Sequence, residues 1–440
     1  MMEVKQETTI PVFPKTSSPS TITKLSANDL VMPRAHSKII YIYSDSKSKD
    51  CLAVEKLKSS LAQALDLFPI LAGRLITKEN GHLEVDCNGS GALLIVASCE
   101  GKIEQLGDFQ PQNIPQGLLY SEFTAPELLI IKATYFACGG VILGVSLHHS
   151  IADGKGEFSF MKIWAKIHTQ QSIPPEQMPN HDRHLLDPTG EFPPGVHLEY
   201  KILPKPIPTN EPKKEDTPAP APFVFPPTKQ VLLKFSKEKL EQLKLDALPK
   251  DSETWVSTYD ALLALIWRGV SRARGLEGEK EIKCGMAINC RSRLEPPLPD
   301  SYFGNVNFYG LPTLQAQTLT QGPLSEVAGT IRKSINQMNN SYIRSAIEFI
   351  HSQKDVTEII PSFNCFFGSD YAVTSWVGMN KYDCDFGSGR PSYIGPSPEK
   401  FDGLAIFLET PDGNGLQVAT SLLTEHMEKM LKDEEIQKYL

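Results

Sequence analysis

Proline is concentrated in one segment of this 440-residue chain. Fifteen of the 34 prolines fall within residues 171–230, together with the mixed-charge run 211–216. Because proline lacks a backbone N–H and fixes φ, this density excludes helix interiors and central strands there. The sequence therefore predicts two folded halves, at 1–190 and 231–440, joined by an exposed crossover linker at 191–230.

Both halves alternate between strand-like and helix-like patterns. Apolar runs bounded by turn residues predict strands, and apolar residues three or four positions apart predict helices. In the first half the predicted strands are 83–86, 92–97, 128–134 and 141–147, and the predicted helices are 54–65 and 158–167. In the second half the predicted strands are 231–235, 281–288, 304–310 and 403–408, with helices at 237–245, 258–272, 324–345 and the last sixteen residues. This alternation predicts two α/β units with a functional site at their junction.

Composition narrows the class of protein. The chain is 40% hydrophobic and 22% charged, and its formal net charge of -8 disfavours nucleic acid as a partner. The first fourteen residues lack the apolar core of a signal peptide, and no apolar run approaches the ~20 residues of a membrane span. The eight cysteines include no C-x-x-C pair, which is typical of reduced thiols. We expect a soluble cytoplasmic protein that binds neither nucleic acid nor membranes.

The segment His148-His149-Ser-Ile-Ala-Asp153-Gly154 gives the strongest indication of chemistry. It follows the predicted strand 141–147, so its histidines lie at a strand end. A histidine in a cleft is suited to general-base catalysis on an alcohol or amine. Asp153 could polarise the imidazole directly, or it could lock the turn through an ion pair with an arginine from the other half.

Metal binding is the competing chemistry for this segment. His148, His149 and Asp153 could supply ligands, as could His181 and His184. Adjacent histidines on a strand point to opposite faces, however, which disfavours a shared ion. The sequence contains neither a phosphate-binding G-x-x-x-x-G-K-[ST] loop nor a G-x-S-x-G nucleophile elbow.

Several further motifs occur in a fixed order along the chain. Together with the histidine segment they resemble the BAHD family of acyl-CoA-dependent acyltransferases over nearly the whole length. The resemblance implies two chloramphenicol-acetyltransferase-like domains, each a mixed sheet with flanking helices, and an active-site channel at their interface. The motifs are Leu25-Ser26 with Asp29, residues 68–75, residues 87–91, His149-x-x-x-Asp153-Gly154, residues 257–268, residues 291–293, residues 302–305, residues 374–376 and Asp385-Phe-Gly.

The resemblance also implies roles for matched positions. His149 matches the family's catalytic base. Asp153 matches an aspartate that points away from the substrate and pairs with an arginine, here Arg291. Thr374 and Trp376 match residues that steady the tetrahedral oxyanion.

Residues 28–36 and 41–43 resemble the hydroxycinnamoyl-CoA shikimate/quinate branch of this family. Two departures affect the acceptor: Ile39 replaces a serine, and Pro361 replaces an arginine that holds the acceptor's carboxylate. Losing this charge-assisted contact predicts a neutral acceptor in preference to shikimate. Elsewhere, Ser388 replaces a tryptophan, and Asn289 stands where relatives often carry aspartate. The positions implied to contact the acceptor are His36, Ser37 and Tyr41.

The sequence therefore predicts a monomeric acyltransferase of secondary metabolism. It would move a hydroxycinnamoyl, other aromatic or short acyl group from coenzyme A to a hydroxyl, or less favourably an amine, of a small metabolite. Acyl-CoA is the co-substrate, with Ser257 and Thr258 as implied contacts, and the resemblance implies no metal or other cofactor. Two other hypotheses remain open. Peptide-synthetase condensation domains carry a similar histidine string, and a noncatalytic binding protein could use the same fold.

Overall fold

The computed structural model describes residues 2–17, 19–120, 125–203, 226–248, 255–398 and 401–440, so most of the predicted linker 191–230 lies outside the described residues. The strands of the described part, β1 to β18 in chain order, are Val4–Val12, Ile22–Lys24, His36–Tyr43, Arg74–Thr77, Leu83–Asp86, Ala92–Cys99, Leu129–Phe136, Val141–His148, Tyr200–Ile202, Thr228–Ser236, Glu281–Asn289, Asn307–Gly310, Thr313–Gln315, Ile359–Pro361, Tyr371–Ser375, Tyr393–Pro396, Leu404–Glu409 and Gly415–Leu423. The helices, α1 to α11, are Ala27–Leu30, Ser48–Cys51, Val54–Leu67, Gly154–His168, Lys237–Asp246, Thr258–Ala273, Ala316–Gln321, Leu324–Gln337, Asn340–Ser352, Thr424–Met430 and Glu434–Tyr439.

Two mixed sheets with flanking helices form the α/β architecture. The first sheet has the strand order β1-β6-β7-β8-β3-β16. The second has the order β10-β18-β17-β15-β11-β12, and β13 also pairs with β11. Most neighbours are antiparallel, but β6 runs parallel to β7, and β15 runs parallel to both β11 and β17. A small sheet, β2-β5-β4, and the pair β9-β14 complete the described strands.

The first core forms between the apolar central strands and an amphipathic helix. All eight residues of β8 are buried, as its continuous apolar run predicts. On α4, Phe160 and Trp164 are fully buried, and Phe68 at the end of α3 packs edge-to-face on Phe160 with ring centroids 5.2 Å apart. Burying each such side chain contributes about 1.5–3 kcal/mol, which holds α3 and α4 together.

The second core is built around α6. Its N-terminus is closed by a capping box, in which Ser257 and Asp260 exchange hydrogen bonds between side chain and backbone. Its middle turns, including Trp267, are fully buried. The helix contacts α5, α7, α8, α10 and α11, so it lies at the centre of this layer.

Residues from the second half of the chain complete the first core. Strand β16 pairs antiparallel with β3, so that Ile394 lies opposite Tyr41. Just before β16, the Phe386 ring lies edge-on to Trp164 at 4.9 Å and to Tyr43 at 5.9 Å. The two halves are therefore interlocked rather than merely adjacent.

Two of the predicted helices are wrong in their extent. The segment predicted as one helix over 324–345 is two helices, α8 and α9. Asn339 breaks it by capping α9, where its side chain accepts a 3.0 Å hydrogen bond from the Tyr342 N–H. The C-terminal sixteen residues also contain two helices, because Asp433 caps α11.

The structure also bears on two expectations from composition, which concern the cysteines and membrane-spanning helices. All eight cysteines are free thiols. Among the described helices, none combines the length and the apolar character that crossing a membrane requires.

Candidate active site

The histidine segment turns sharply between β8 and α4. Strand β8 ends at His148, and the His149 N–H then donates to the Ala35 carbonyl at 2.8 Å. Helix α4 begins directly after Asp153, whose side chain caps it by accepting from the Gly156 N–H at 3.0 Å. His149, which is half-buried, therefore lies on a short turn fixed at both ends.

Asp153 forms a buried ion pair with Arg291 from the other half of the chain. Arg291 Nη1 lies 2.8 Å from Asp153 Oδ2, and Nη2 lies 3.0 Å from Oδ1. The Val306 N–H donates to Oδ2 at 3.0 Å. Burial by itself would raise the pKa of Asp153, but the Arg291 charge and these hydrogen bonds hold it below the ordinary value. Both carboxylate oxygens are occupied, so the geometry favours a turn-locking role over direct polarisation of His149.

Arg291 is in turn held by several oxygens. Its Nη2 donates to the Gly304 carbonyl at 2.9 Å and to the Tyr302 carbonyl at 3.2 Å. Asn289, which stands where relatives often carry aspartate, accepts from Arg291 Nη1 at 3.1 Å. A neutral amide at this position therefore accepts a hydrogen bond from Arg291.

A second buried ion pair was not predicted from the sequence. Arg183 Nε lies 3.0 Å from Asp29 Oδ2, and both side chains are buried. Asn305 donates to Asp29 Oδ1 through its backbone N–H at 2.9 Å and through Nδ2 at 2.8 Å. The same Nδ2 donates to the His149 carbonyl at 2.8 Å. Asp29 therefore positions His149 through Asn305, and the Ser26-x-x-Asp29 capping-box spacing was the signal available in the sequence.

His36 and His148 lie together at the paired ends of β3 and β8. Their rings meet edge-to-face with centroids 5.3 Å apart, and His36 Nε2 lies 2.7 Å from the Glu127 carbonyl. Burial, with repulsion from His36, lowers the pKa of His148 to about 3. Burial also lowers the pKa of His36. Both imidazoles are therefore neutral near pH 7.

Ser37 and Tyr41, the other two predicted acceptor contacts, lie further along β3. Ser37 Oγ lies 3.0 Å from the Leu147 carbonyl and 2.8 Å from Glu157 Oε2. Tyr41 is completely buried, and its hydroxyl has no hydrogen-bond partner among the described residues. Ser37 is thus partly accessible, whereas Tyr41 belongs to the core.

Of the two predicted oxyanion residues, Trp376 packs against the start of α4, and Thr374 lies in the second sheet. Thr374 lies on β15, opposite Ile406 of β17. The Trp376 ring packs edge-to-face on Phe158 of α4 at 5.4 Å. A Cβ placed at Gly154 would lie 3.5 Å from Trp376 Nε1, so the indole lies directly over the start of α4.

Ser257 and Thr258 lie at the start of α6. Ser257 Oγ accepts from Arg332 at 2.8 Å, and Arg332 lies over the exposed Trp255 ring at 4.6 Å. Within the described ranges, no hydrogen bond joins this cap to residues 148–154. Ser257 is therefore engaged in capping α6, and the contacts of Ser257 and Thr258 with coenzyme A stay predictions.

The segment with the altered motif, Asp385–Gly389, forms a tight turn. Asp385 Oδ1 accepts from the N–H groups of Gly387 and Gly389 at 2.7 and 2.9 Å. Ser388, in place of a tryptophan, accepts from Ser48 Oγ at 3.0 Å. Ser388 therefore contacts the start of α2, and Asp385 holds the turn.

The histidines considered as alternative metal ligands bind protein groups. His181 Nε2 lies 2.8 Å from the Leu67 carbonyl, and His184 Nδ1 lies 2.7 Å from Asp187 Oδ2. In the described ranges, no three His, Cys, Asp or Glu side chains are grouped to hold a metal. Both histidines line a cavity of about 770 Å³ beside α1 and β2, whose lining residues do not include 148–154.

Comparison with known proteins identifies the class to which this site belongs. A sequence model described as the transferase family matches residues 1–437. Hydroxycinnamoyltransferase 1 of Oryza sativa subsp. japonica is 36% identical, covering 92% of this chain and 93% of that protein. Shikimate O-hydroxycinnamoyltransferase of Nicotiana tabacum is 34% identical, covering 98% and 99%.

Solved structures agree at the level of the fold. F. sporotrichioides TRI101, complexed with coenzyme A and T-2, superposes with a TM-score of 0.81 at 22% identity, covering 95% of this chain and 99% of that one. Vinorine synthase superposes with a TM-score of 0.73 at 22% identity, covering 100% and 98%. The chain belongs to the transferase family of BAHD acyltransferases. It is an acyl-CoA-dependent acyltransferase with hydroxycinnamoyltransferases among its relatives.

Proposed function

We propose that this enzyme transfers a hydroxycinnamoyl-type acyl group from coenzyme A to a hydroxyl group of a small, uncharged acceptor, with His149 as the general base. The observation that supports this proposal most directly is the His149 turn, which two buried ion pairs from different parts of the chain hold in one place. General-base catalysis requires the imidazole to be held beside the bound alcohol, and here the backbone N–H and carbonyl of His149 are both hydrogen-bonded.

The proposed reaction proceeds in two steps. His149 removes the acceptor's hydroxyl proton as its oxygen attacks the thioester carbonyl, giving a tetrahedral oxyanion that Thr374 and Trp376 steady. The C–S bond then breaks, and the imidazolium returns the proton so that coenzyme A leaves as its thiol. Asp153 and Arg291 touch neither substrate and act by holding the turn.

The curated relatives support the acyl group in this proposal. The matched proteins from rice and tobacco are both hydroxycinnamoyltransferases. Other relatives are N-hydroxycinnamoyltransferases acting on 5-hydroxyanthranilate, such as one from Avena sativa that is 34% identical. An amine acceptor is therefore the second candidate, and both chemistries use the same base.

The charges around the acceptor positions support an uncharged acceptor. The side chain of Pro361, on β14, carries no charge, and Ile39 is an uncharged residue buried in β3. His36 and His148 are neutral because burial lowers the pKa of each ring. Arg34 donates to the Gly81 carbonyl, and partial burial lowers its pKa against the smaller opposing effect of the Asp355 charge.

The proposal also covers the domain boundaries, the oligomeric state and the cellular location of the enzyme. We propose that the chain divides into domains at 1–190 and 231–440 around the linker 191–230, with β16 crossing back to the first sheet. We also propose that it acts as a monomer in the cytoplasm. Light scattering of the purified protein measures the monomer mass directly.

A competition assay tests the choice of acceptor. The enzyme would be incubated with p-coumaroyl-CoA and equal amounts of shikimate, quinate, 5-hydroxyanthranilate and several neutral alcohols, and products would be quantified by mass spectrometry. We expect a neutral alcohol to exceed shikimate by about tenfold in kcat/KM, equivalent to about 1.4 kcal/mol.

A preference for shikimate that Arg34→Ala or Lys38→Ala abolishes would contradict this account of the pocket. Dominant acylation of 5-hydroxyanthranilate would establish the amine alternative instead. Lys58→Ala, at an exposed position of α3, is the matched control for loss of a surface cation.

A further inference from the structure

Glu157 is a buried carboxyl group that the proposed mechanism does not use. It lies on α4 one turn after Asp153, and only 1% of its surface is exposed. Its Oε2 lies 2.8 Å from Ser37 Oγ on β3. Its Oε1 is buried and has no hydrogen-bond partner among the described residues. Glu157 therefore links the helix that begins at the histidine turn to the strand that carries the predicted acceptor contacts.

The hydrogen bonds around Ser37 limit the protonation state of Glu157. Ser37 Oγ lies within hydrogen-bond distance of two oxygens, the Leu147 carbonyl and Glu157 Oε2, but a serine hydroxyl has one hydrogen. If Glu157 is ionised, both oxygens are acceptors and one contact lacks a hydrogen. If Glu157 is neutral, its O–H donates to Ser37, and the Ser37 O–H donates to Leu147. Only the neutral acid satisfies both contacts.

The surroundings of Glu157 also favour the neutral form. No described cation forms an ion pair with Glu157, and the titratable group that its charge affects is the Tyr41 hydroxyl on β3. Asp153, at the start of the same helix, is neutralised by Arg291. Burial raises the pKa of Glu157 to about 8, against the smaller opposing effect of the Ser37 hydrogen bond.

We propose that Glu157 is a positioning residue whose neutral carboxyl group donates to Ser37 and so fixes the end of β8, two residues before His149. The inference rests on the proposed function, since it assumes that His149 is the base. The proposal also fixes the direction of any hydrogen bond between Ser37 and a substrate. Because its single hydrogen is used within the protein, Ser37 can only accept from a substrate, which suits an acceptor hydroxyl and excludes a carboxylate.

Two variants separate this role from a merely structural one. In Glu157→Gln the amide N–H can donate to Ser37 at every pH, whereas Glu157→Ala removes the contact. Glu55→Gln, an exposed carboxyl-to-amide change on α3, is the matched control. The readouts are kcat and KM for acyl transfer from pH 6 to about 9.5, a range chosen to bracket the Glu157 titration.

The expected results differ between the variants. For the wild type and Glu55→Gln, kcat should fall above about pH 8 as Glu157 ionises and Ser37 turns its hydrogen away from Leu147. Glu157→Gln should keep kcat within about threefold at pH 7 and lose this alkaline decline. Glu157→Ala removes the link between α4 and β3, so kcat should fall about tenfold or more at every pH with little change in KM, and without an alkaline decline because the Ser37 hydrogen then stays on Leu147.

Two outcomes would overturn the proposal: a Glu157→Gln variant as impaired as Glu157→Ala, or one that keeps the wild-type alkaline decline. Infrared difference spectra between the wild type and Glu157→Gln give a test independent of activity. They should show a protonated carboxyl band at pH 7 that disappears above about pH 8, and its absence at pH 7 would refute the neutral acid. If the wild type transfers no acyl group, the proposed function fails, while the infrared result still reports on Glu157.

Discussion

At the scale of single residues, two buried ion pairs determine where His149 lies. A buried charge is costly unless its partner and the remaining hydrogen bonds are all in place. Asp153 and Arg291 meet this condition, since both carboxylate oxygens are bound and Arg291 also donates to backbone carbonyls. The pair therefore fixes the conformation of the turn. Removing either partner leaves the other as an unpaired buried charge, which is costly in free energy.

The ion pair predicts the outcome of a double-mutant cycle. Asp153→Ala and Arg291→Ala should each lower the free energy of unfolding by about 3–5 kcal/mol, because each leaves an unpaired buried charge. The double variant should lose clearly less than the sum. Denaturant unfolding at pH 7 measures all three. The pKa of Asp153 is held below its ordinary 3.8, so the pair's contribution is present above that pH and lost only at lower pH.

Additive losses would contradict direct coupling between the two side chains. Lys155→Ala is the matched control, because Lys155 pairs with a largely exposed aspartate, Asp300. That change should cost no more than about 1 kcal/mol.

At the scale of elements, the turn 302–306 connects both ion pairs to the histidine segment. Gly304 and Tyr302 accept from Arg291, Asn305 donates to Asp29 and to the His149 carbonyl, and Val306 donates to Asp153. One short segment from the second half of the chain thus contacts the β8–α4 turn at both His149 and Asp153.

Asn305→Ala should therefore affect rate as well as stability. Losing the amide leaves the His149 carbonyl without this donor and removes one of the two hydrogen bonds that Asn305 gives to Asp29 Oδ1, at a cost of about 1–3 kcal/mol in unfolding free energy. We expect kcat to fall about tenfold with KM little changed, because His149 is displaced while the binding surface remains. Steady-state assays of thiol release measure kcat and KM separately. Asn336→Ala, on the exposed face of α8, is the control. If Asn305→Ala keeps the wild-type kcat, Asn305 does not position the base.

Local sequence patterns predicted the central elements but missed those that depend on distant partners. The apolar run of β8 and the capped pattern of α6 are local signals, and both elements lie close to where they were predicted. Residues 304–306, predicted as the start of the strand 304–310, belong instead to a turn, because Asp29 and Asp153, far away in the sequence, accept from the N–H groups of Asn305 and Val306. Strand β16 has only four residues and forms by pairing with β3, which local periodicity cannot indicate.

The same reasoning explains what could be predicted of the site. His149 stood out because an apolar strand leads into a motif of unusual composition. The partner of Asp153 was available only through resemblance to a family, since no local pattern joins positions 138 residues apart. Glu157 gave no signal, because on α4 it has the sequence context of a solvated helical glutamate, and only the packing against β3 buries it.

At the scale of the whole molecule, the site depends on the interlocking of the two halves. Arg291 and Trp376 extend from the second half towards the start of α4, and β16 adds a strand to the first sheet. Catalysis by such an arrangement requires both halves to be folded together. The likeness to solved acyltransferase structures covers 95% of the chain or more, which places the same interlocked fold in a wider group of proteins.

The most direct test of the account is the activity of His149→Ala in the folded protein. With p-coumaroyl-CoA and the preferred acceptor, we expect kcat to fall at least ~100-fold, as for loss of a general base, with unfolding midpoints and KM for acyl-CoA near those of the wild type. His184→Ala, an exposed histidine bound to Asp187, should retain full activity. A His149→Ala enzyme that folds and turns over at close to the wild-type rate would contradict the assignment of His149 as the base.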